Sequence, residues 1–239
     1  MAVSLKNIVK RLVQNKYTMS IFAANAFLGI TNFALVIYPF LAIDFFKDPG
    51  LQPVILAAFL VPIVISAPLT PMLVRKFGKK NIFLFSLVVS AIFSILIYFI
   101  GPDNFGIFIT LMFIRSLVGG FSFVIQTLLY ADSIEYNYYK NGERYEAATF
   151  AAQTFSGKSA GAIASAIAMG LLAFFGYKES IAGEIVIQSQ STLDSMWALF
   201  NLAPVVGCVI AFVFFKKVYD LSEEKLNEMK IAYELKNNK

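Results

Sequence analysis

The residues with the most chemistry to offer are clustered. Ala131-Asp132-Ser133-Ile134-Glu135-Tyr136 and Lys140-Asn141-Gly142-Glu143-Arg144 put acids, bases and phenols into one short run between two very apolar stretches. Such a set suits reversible ion pairing. It is poor enzyme machinery. Asp132 and Glu135 are a pair of carboxylates, but the chain has no His, which removes the commonest proton shuttle and metal ligand. No Ser/His, Cys/His or metal-ligand cluster is present, so the sequence reads as a non-enzyme with no metal site and no cofactor. The single Cys208 lies in an apolar run and cannot form a disulfide within the chain.

The elements that must position this run are built for lipid. The chain is 58% hydrophobic and only 15% charged, with a mean hydropathy of +0.70. A soluble domain carries roughly 25% charged residues, so too little polar surface remains to cover a soluble body of this size. A bilayer core is about 30 Å thick and takes roughly 20 apolar residues per spanning helix. Six segments qualify: Thr18–Phe46, Pro53–Val74, Ile82–Ile100, Phe105–Tyr130, Ala147–Tyr177 and Leu193–Phe215. Turn signals at Asp48-Pro49-Gly50, Gly101-Pro102-Asp103-Asn104 and Asn141-Gly142 separate several of them. The expected fold is all-α, a polytopic membrane protein. A six-helix bundle covers residues 18–215, with the charged run as a loop over 131–146.

The flanks differ in character. Over residues 1–17, Leu5, Ile8, Val9, Leu12 and Val13 recur at helical spacing with Lys6, Lys10 and Arg11 between them. This predicts an amphipathic helix on the inner membrane surface. Residues 216–239 form a soluble tail. Ser222-Glu223-Glu224 opens a helix with Leu226, Met229 and Tyr233 on one face; its simplest reading is a solvated terminal helix with no role of its own.

Orientation follows from Lys and Arg in the short connections. Sixteen fall on one side, in blocks at Lys6–Lys16, Arg75–Lys80, Lys140–Arg144 and Lys216–Lys239, and only Lys47 and Lys178 on the other. Both termini and the charged loop are therefore expected on the cytoplasmic side of the plasma (inner) membrane. Asp44, Asp48, Asp103, Glu179, Glu184 and Asp194 fall at or beyond the outer boundary. The net charge of +5 is spread in short blocks between apolar runs, with no separate basic patch for nucleic acid.

Two cations remain inside the spans. Arg115 lies about ten residues into the fourth segment and Lys158 about eleven into the fifth, so at about 1.5 Å per residue both are roughly 15 Å deep. A lipid-facing charge there costs at least about 2.5–3.5 kcal/mol, so both should face a polar interior. No Asp or Glu lies at that depth in any of the six segments. Counter-ions are expected from a substrate or another polypeptide, which would make the chain one side of a two-sided cavity; the alternative is a cation buried for packing and satisfied by helix carbonyls or water. Gly157, Gly161 and Ser165, and Ala160, Ala164 and Ala168, recur every fourth residue around Lys158 and allow close helix approach. Asn32, Gln126, Gln153 and Thr154 are further polar candidates for the cavity. Tyr38 and Trp197 read as boundary aromatics.

The charged loop also resembles a known signature. Ala131-Asp132-Ser133-Ile134-Glu135-Tyr136, then Gly142-Glu143-Arg144-Tyr145-Glu146, is similar to the loop between helices ten and eleven of the glycoside–pentoside–hexuronide:cation symporters. That melibiose-carrier-like family belongs to the major facilitator superfamily. Its pattern is Ala-Asp, two residues, an acid and Tyr, then Gly-x-Arg-x-Glu. The insert Asn137-Tyr138-Tyr139-Lys140-Asn141 has the family's length, with Tyr where Trp is usual. Phe155-Ser156-Gly157-Lys158 resembles the start of helix eleven, and Leu73-Val74-Arg75-Lys76-Phe77-Gly78-Lys79-Lys80 the basic loop between helices eight and nine.

The resemblance implies the C-terminal half of a carrier: six helices equivalent to the second bundle, preceded by the connector between halves. It implies uptake of a glycoside, pentoside or hexuronide with Na⁺ or H⁺ by alternating access. The partners would be an N-terminal six-helix half, from the same gene or a separate chain, the sugar and the bilayer. Lys158 would organise the cavity near the sugar and cation sites. Asp132, Glu135, Tyr136, Arg144 and Glu146 would form the cytoplasmic gate network. Two other readings stand beside it, a self-associating six-helix transporter and a non-transporting membrane sensor derived from a carrier.

Overall fold

The computed structural model describes residues 5–178 and 186–237, which are helical with no strand among them. Glu179, Glu184 and Lys239, named above, lie outside the described residues. A short helix α1 (Leu5–Gln14) leads into α2 (Lys16–Ile30). After a break come α3 (Ala34–Phe40), a π-helical turn over Leu41–Phe45 and a 3₁₀ turn over Pro49–Leu51. Then follow α4 (Gln52–Phe77), α5 (Lys79–Ile100), α6 (Phe105–Asn141), α7 (Glu146–Phe174), α8 (Gln190–Val218) and α9 (Glu223–Asn237). Among the described residues six helical units are long and apolar enough to cross a membrane, beginning at Lys16, Pro49, Lys79, Phe105, Glu146 and Gln190.

The first span is not the single helix that hydropathy predicts. Thr31, Asn32 and Phe33 interrupt it. The Asn32 N–H turns back to Gly29 O at 3.2 Å, and the Thr31 hydroxyl donates to Phe27 O at 2.9 Å. Neighbouring helices make room for this. A Cβ on Gly207 of α8 would collide with Thr31 Oγ1, and one on Gly29 would meet the Ala160 Cβ of α7 at 2.6 Å. The break is therefore held by small residues on two other helices, a signal that hydropathy along one segment does not carry.

Helices α4, α6, α5, α8, α2 and α7 are neighbours in that order, and α3 touches α4, α7 and α8. Two apolar clusters fill the bundle. One gathers Tyr17, Ile21, Phe83, Leu87, Ile125, Leu129 and Phe215 at the end carrying the basic blocks. The other gathers Ile37, Leu41, Ile55, Ile97, Phe108 and Phe200 toward the opposite end. Trp197 belongs to the second cluster. It is only 5% exposed, and its Nε1 donates to Tyr98 O of α5 at 3.1 Å. Trp197 faces the bundle rather than its outside: a backbone acceptor two residues from the end of α5 satisfies its N–H in the core.

Candidate functional site

The charged run is mostly helix, not loop. Between Ala131 and Asn141 there is neither Gly nor Pro, so nothing stops α6. With 37 residues it is about 55 Å long at 1.5 Å per residue, well beyond an about 30 Å bilayer core. It ends at Gly142, whose φ of +74° is left-handed and whose N–H reaches Tyr138 O at 2.7 Å. Asn137 Nδ2 donates to Glu143 O at 2.7 Å and steadies the short turn before α7.

This geometry divides the expected gate residues into two groups. Arg144 sits between two carboxylates across the turn: Nη2 donates to Glu135 Oε1, and Nε lies 3.4 Å from Glu146 Oε1. Asp132 turns to α5 instead. Both its oxygens accept from Lys79 Nζ, at 2.7 and 2.8 Å, and the two side chains are 18% and 21% exposed. Tyr136 packs edge-on against Tyr17 with centroids 4.6 Å apart, and its hydroxyl accepts from Lys140 at 3.2 Å.

Residues outside the signature complete the arrangement. Asn15 caps α2 by accepting from the Tyr17 and Thr18 N–H groups, and its Nδ2 donates to Ser133 O at 2.9 Å. The Thr18 hydroxyl donates to Ser133 Oγ at 3.0 Å. Arg11 of α1 lies 3.4 Å from Glu143 Oε2, which also accepts from the Tyr145 hydroxyl at 2.6 Å and lifts that phenol's pKa above its ordinary value. Sequence reasoning missed these roles of Lys79, Asn15 and Glu143. Only Asn15 had a local signal, as a capping residue type just before a helical run.

The mid-span candidates have no such partners. Lys158 is exposed on α7, and among the described residues no carboxylate oxygen lies within 4 Å of it. Open space lies where a Cβ on Gly157 or Gly161 would point, while Ser156, Ala160, Ala164 and Ala168 form the buried face of α7. Thr154 shares the exposed face, with its hydroxyl bonded back to Phe150 O at 2.9 Å, and Gln153 is half-buried. Asn32 is half-buried in the break of the first span. Arg115 is half-buried with its guanidinium 5.6 Å from the centroid of Phe200 on α8. Gln126 is buried, eleven positions further along α6 and so on nearly the same helix face as Arg115.

The sequence was also compared with known proteins. A family model described as MFS/sugar transport protein matches residues 2–223. The chain belongs to that family. Among curated relatives of this MFS sugar-transport chain is the glucuronide carrier protein homolog of Escherichia coli (strain K12), 30% identical over 81% of the chain and 41% of the relative. A proposed sulfoquinovose importer of the same strain is 31% identical over 68% of the chain and 34% of its own length. An uncharacterized symporter of Bacillus subtilis (strain 168) is 27% identical over 93% of the chain and 47% of its own length. The chain thus spans less than half the length of each of these relatives. The family and the six apolar spans make it a multi-pass membrane protein of the sugar and solute transporters, not an enzyme.

Proposed function

We propose that this chain is the C-terminal half of a secondary carrier that moves a sugar or sugar acid with Na⁺ or H⁺ by alternating access. The observation that carries the reading is Lys158, a cation about 18 Å along α7 at 1.5 Å per residue. It is exposed on an open helix face and lacks a carboxylate partner among the described residues. A cation placed there at a cost of at least about 2.5–3.5 kcal/mol makes sense when a second bundle or a bound substrate supplies the opposite charge. The glucuronide carrier homolog and the proposed sulfoquinovose importer among the relatives favour an acidic sugar as that substrate. Arg115, at similar depth, adds a second positive group.

In this reading the basic end faces the cytoplasm, as its sixteen Lys and Arg favour. Asp132–Lys79 and Glu135–Arg144–Glu146 then serve as an inner gate. The exposed pairs of Arg144 are each worth about 0–1 kcal/mol and the less exposed Asp132–Lys79 pair more, so such a network can hold one end of the bundle together and still open. One bundle rocking against the other exposes the cavity to each side in turn.

The test is uptake into proteoliposomes of a radiolabelled glucuronide under an inward Na⁺ or H⁺ gradient. The chain is reconstituted alone and with an amino-terminal half taken from the Bacillus subtilis symporter. Gradient-driven uptake only with both halves is the expected result, and the gradient that drives it names the coupling ion. Equal uptake by the chain alone would favour a self-associating six-helix transporter. No uptake under either gradient, with both halves inserted, would count against the carrier reading.

A further inference from the structure

The last helix is not a free tail. Beyond α8 the chain turns at Tyr219–Ser222, and this turn is anchored. Tyr219 and Leu221 are buried, the Tyr219 ring stacks on Phe215 at 4.5 Å, and Lys80 Nζ donates to the Tyr219 carbonyl. The direction of α9 is thereby fixed back across the basic end of the bundle. This helix, expected from sequence to be a solvated terminal helix with no role of its own, makes three sets of contacts with the bundle.

Asp220 forms the first. It lies 2.7 Å from Lys16 Nζ at the start of α2 and 3.3 Å from Lys225 Nζ in the first turn of α9. Lys225 also donates to the Tyr17 hydroxyl at 3.1 Å. The second is Glu223, 3.7 Å from Lys79 Nζ, the same ammonium that holds Asp132. The third is Tyr233, with its ring 4.9 Å from Tyr138 and 5.8 Å from Tyr139 near the end of α6. Glu223 and Tyr233 are ten residues apart, about 15 Å along a helix. Between them an open cleft of about 480 Å³ is lined by Asp132, Tyr139, Asn227 and Lys230.

We infer that α9 is a releasable strap: seated, it ties the basic ends of α2, α5 and α6 together and holds the last turns of α6 in place. The inference stands on contacts within this chain and does not require that the chain transport anything. If the carrier reading holds, the strap acts on the inner gate, because Glu223 and Asp132 share Lys79. The contacts suit release. Glu223 is 66% exposed, and Asp220 and Lys225 are about half exposed, so salt screens them, with a Debye length of about 3 Å at 1 M.

The Asp220–Lys225 contact is not built to titrate near neutral pH. The Asp220 carboxyl is held well below the usual range, first by its hydrogen bond from Lys16, with burial opposing and Tyr17 and Lys225 assisting. A depressed carboxyl contributes above its unfolded value, about 3.9, and is lost only as pH falls through the folded value. Lys225 is raised, first by Tyr17. Its contribution is full below about 10.4 and is lost as pH rises through the folded value. The Asp220–Lys225 contact should be insensitive to pH between those limits.

Hydrogen exchange on the full chain in lipid nanodiscs tests the strap. Wild type is compared with a Lys225→Glu/Tyr233→Ala double variant and with a Lys236→Ser control. Amides of residues 223–237 and 131–141 should exchange roughly tenfold faster in the double variant and in 1 M salt, and at wild-type rates in the control. Unchanged helix content by circular dichroism shows that the double variant still folds. Two results would overturn the strap: residues 223–237 of the wild type exchanging at low salt as fast as in the double variant, or residues 131–141 indifferent to the double substitution.

Discussion

The basic end of the bundle and the middle of its spans treat charge in opposite ways. At the basic end Asp132 has Lys79, Arg144 has Glu135 and Glu146, Glu143 has Arg11, and Asp220 has Lys16 and Lys225. Each of these acids finds its base within the chain. In the middle, Lys158 and Arg115 have no carboxylate within 4 Å among the described residues; Arg115 has only the face of Phe200. Charge near water is inexpensive and can be paired loosely. Charge at mid-span is costly and is kept only where something answers it. The network at the basic end is paired within the chain, whereas in the proposed carrier the mid-span site is one half of an interaction.

The sharpest way to probe the contrast is to remove Lys158. Lys158→Met should raise the unfolding free energy of the isolated chain by up to about 2.5–3.5 kcal/mol, and abolish uptake once the second half is present. Denaturant titration and proteoliposome uptake read the two effects; a destabilised Lys158→Met chain would show that Lys158 is already satisfied internally. At the basic end the sign reverses. Asp132→Ala strands a partly buried ammonium and should cost about 1.5–3 kcal/mol, the scale of a charged hydrogen bond. The same titration measures it, and a neutral result would remove Asp132–Lys79 from the network. Arg144→Ala should cost less, about 0–1 kcal/mol, because its side chain is 49% exposed. It should slow uptake by the completed carrier more than it unfolds the half. Uptake unchanged by Arg144→Ala would break the gate role.

What the sequence makes legible is the apolar length of the spans, the basic blocks and the signature residues, all properties of contiguous runs. Charge and Tyr content make the end of α6 look like a loop, although nothing before Gly142 can stop a helix. The break at Thr31–Phe33 has no proline and depends on Gly207 and Ala160, far away in the chain. Trp197 sits where a boundary aromatic would, but Tyr98 O draws its N–H into the core. Lys79 is visible as one of a basic block, yet only the packing of α5 on α6 selects it for Asp132. The docking of α9 is likewise a matter of where α8 ends and which side chains wait there.

The central claim, that the counter-charge of Lys158 comes from outside this chain, is tested most directly by thiol labelling at that position. A Lys158→Cys chain in a Cys208→Ser background is placed in nanodiscs with and without the amino-terminal half. Its reaction with a small water-soluble methanethiosulfonate is then timed. The second half should make this site a water-lined cavity wall, so labelling should speed up markedly and then be slowed by added glucuronide. A rate that neither the second half nor the glucuronide changes would place Lys158 away from the interface and contradict the account.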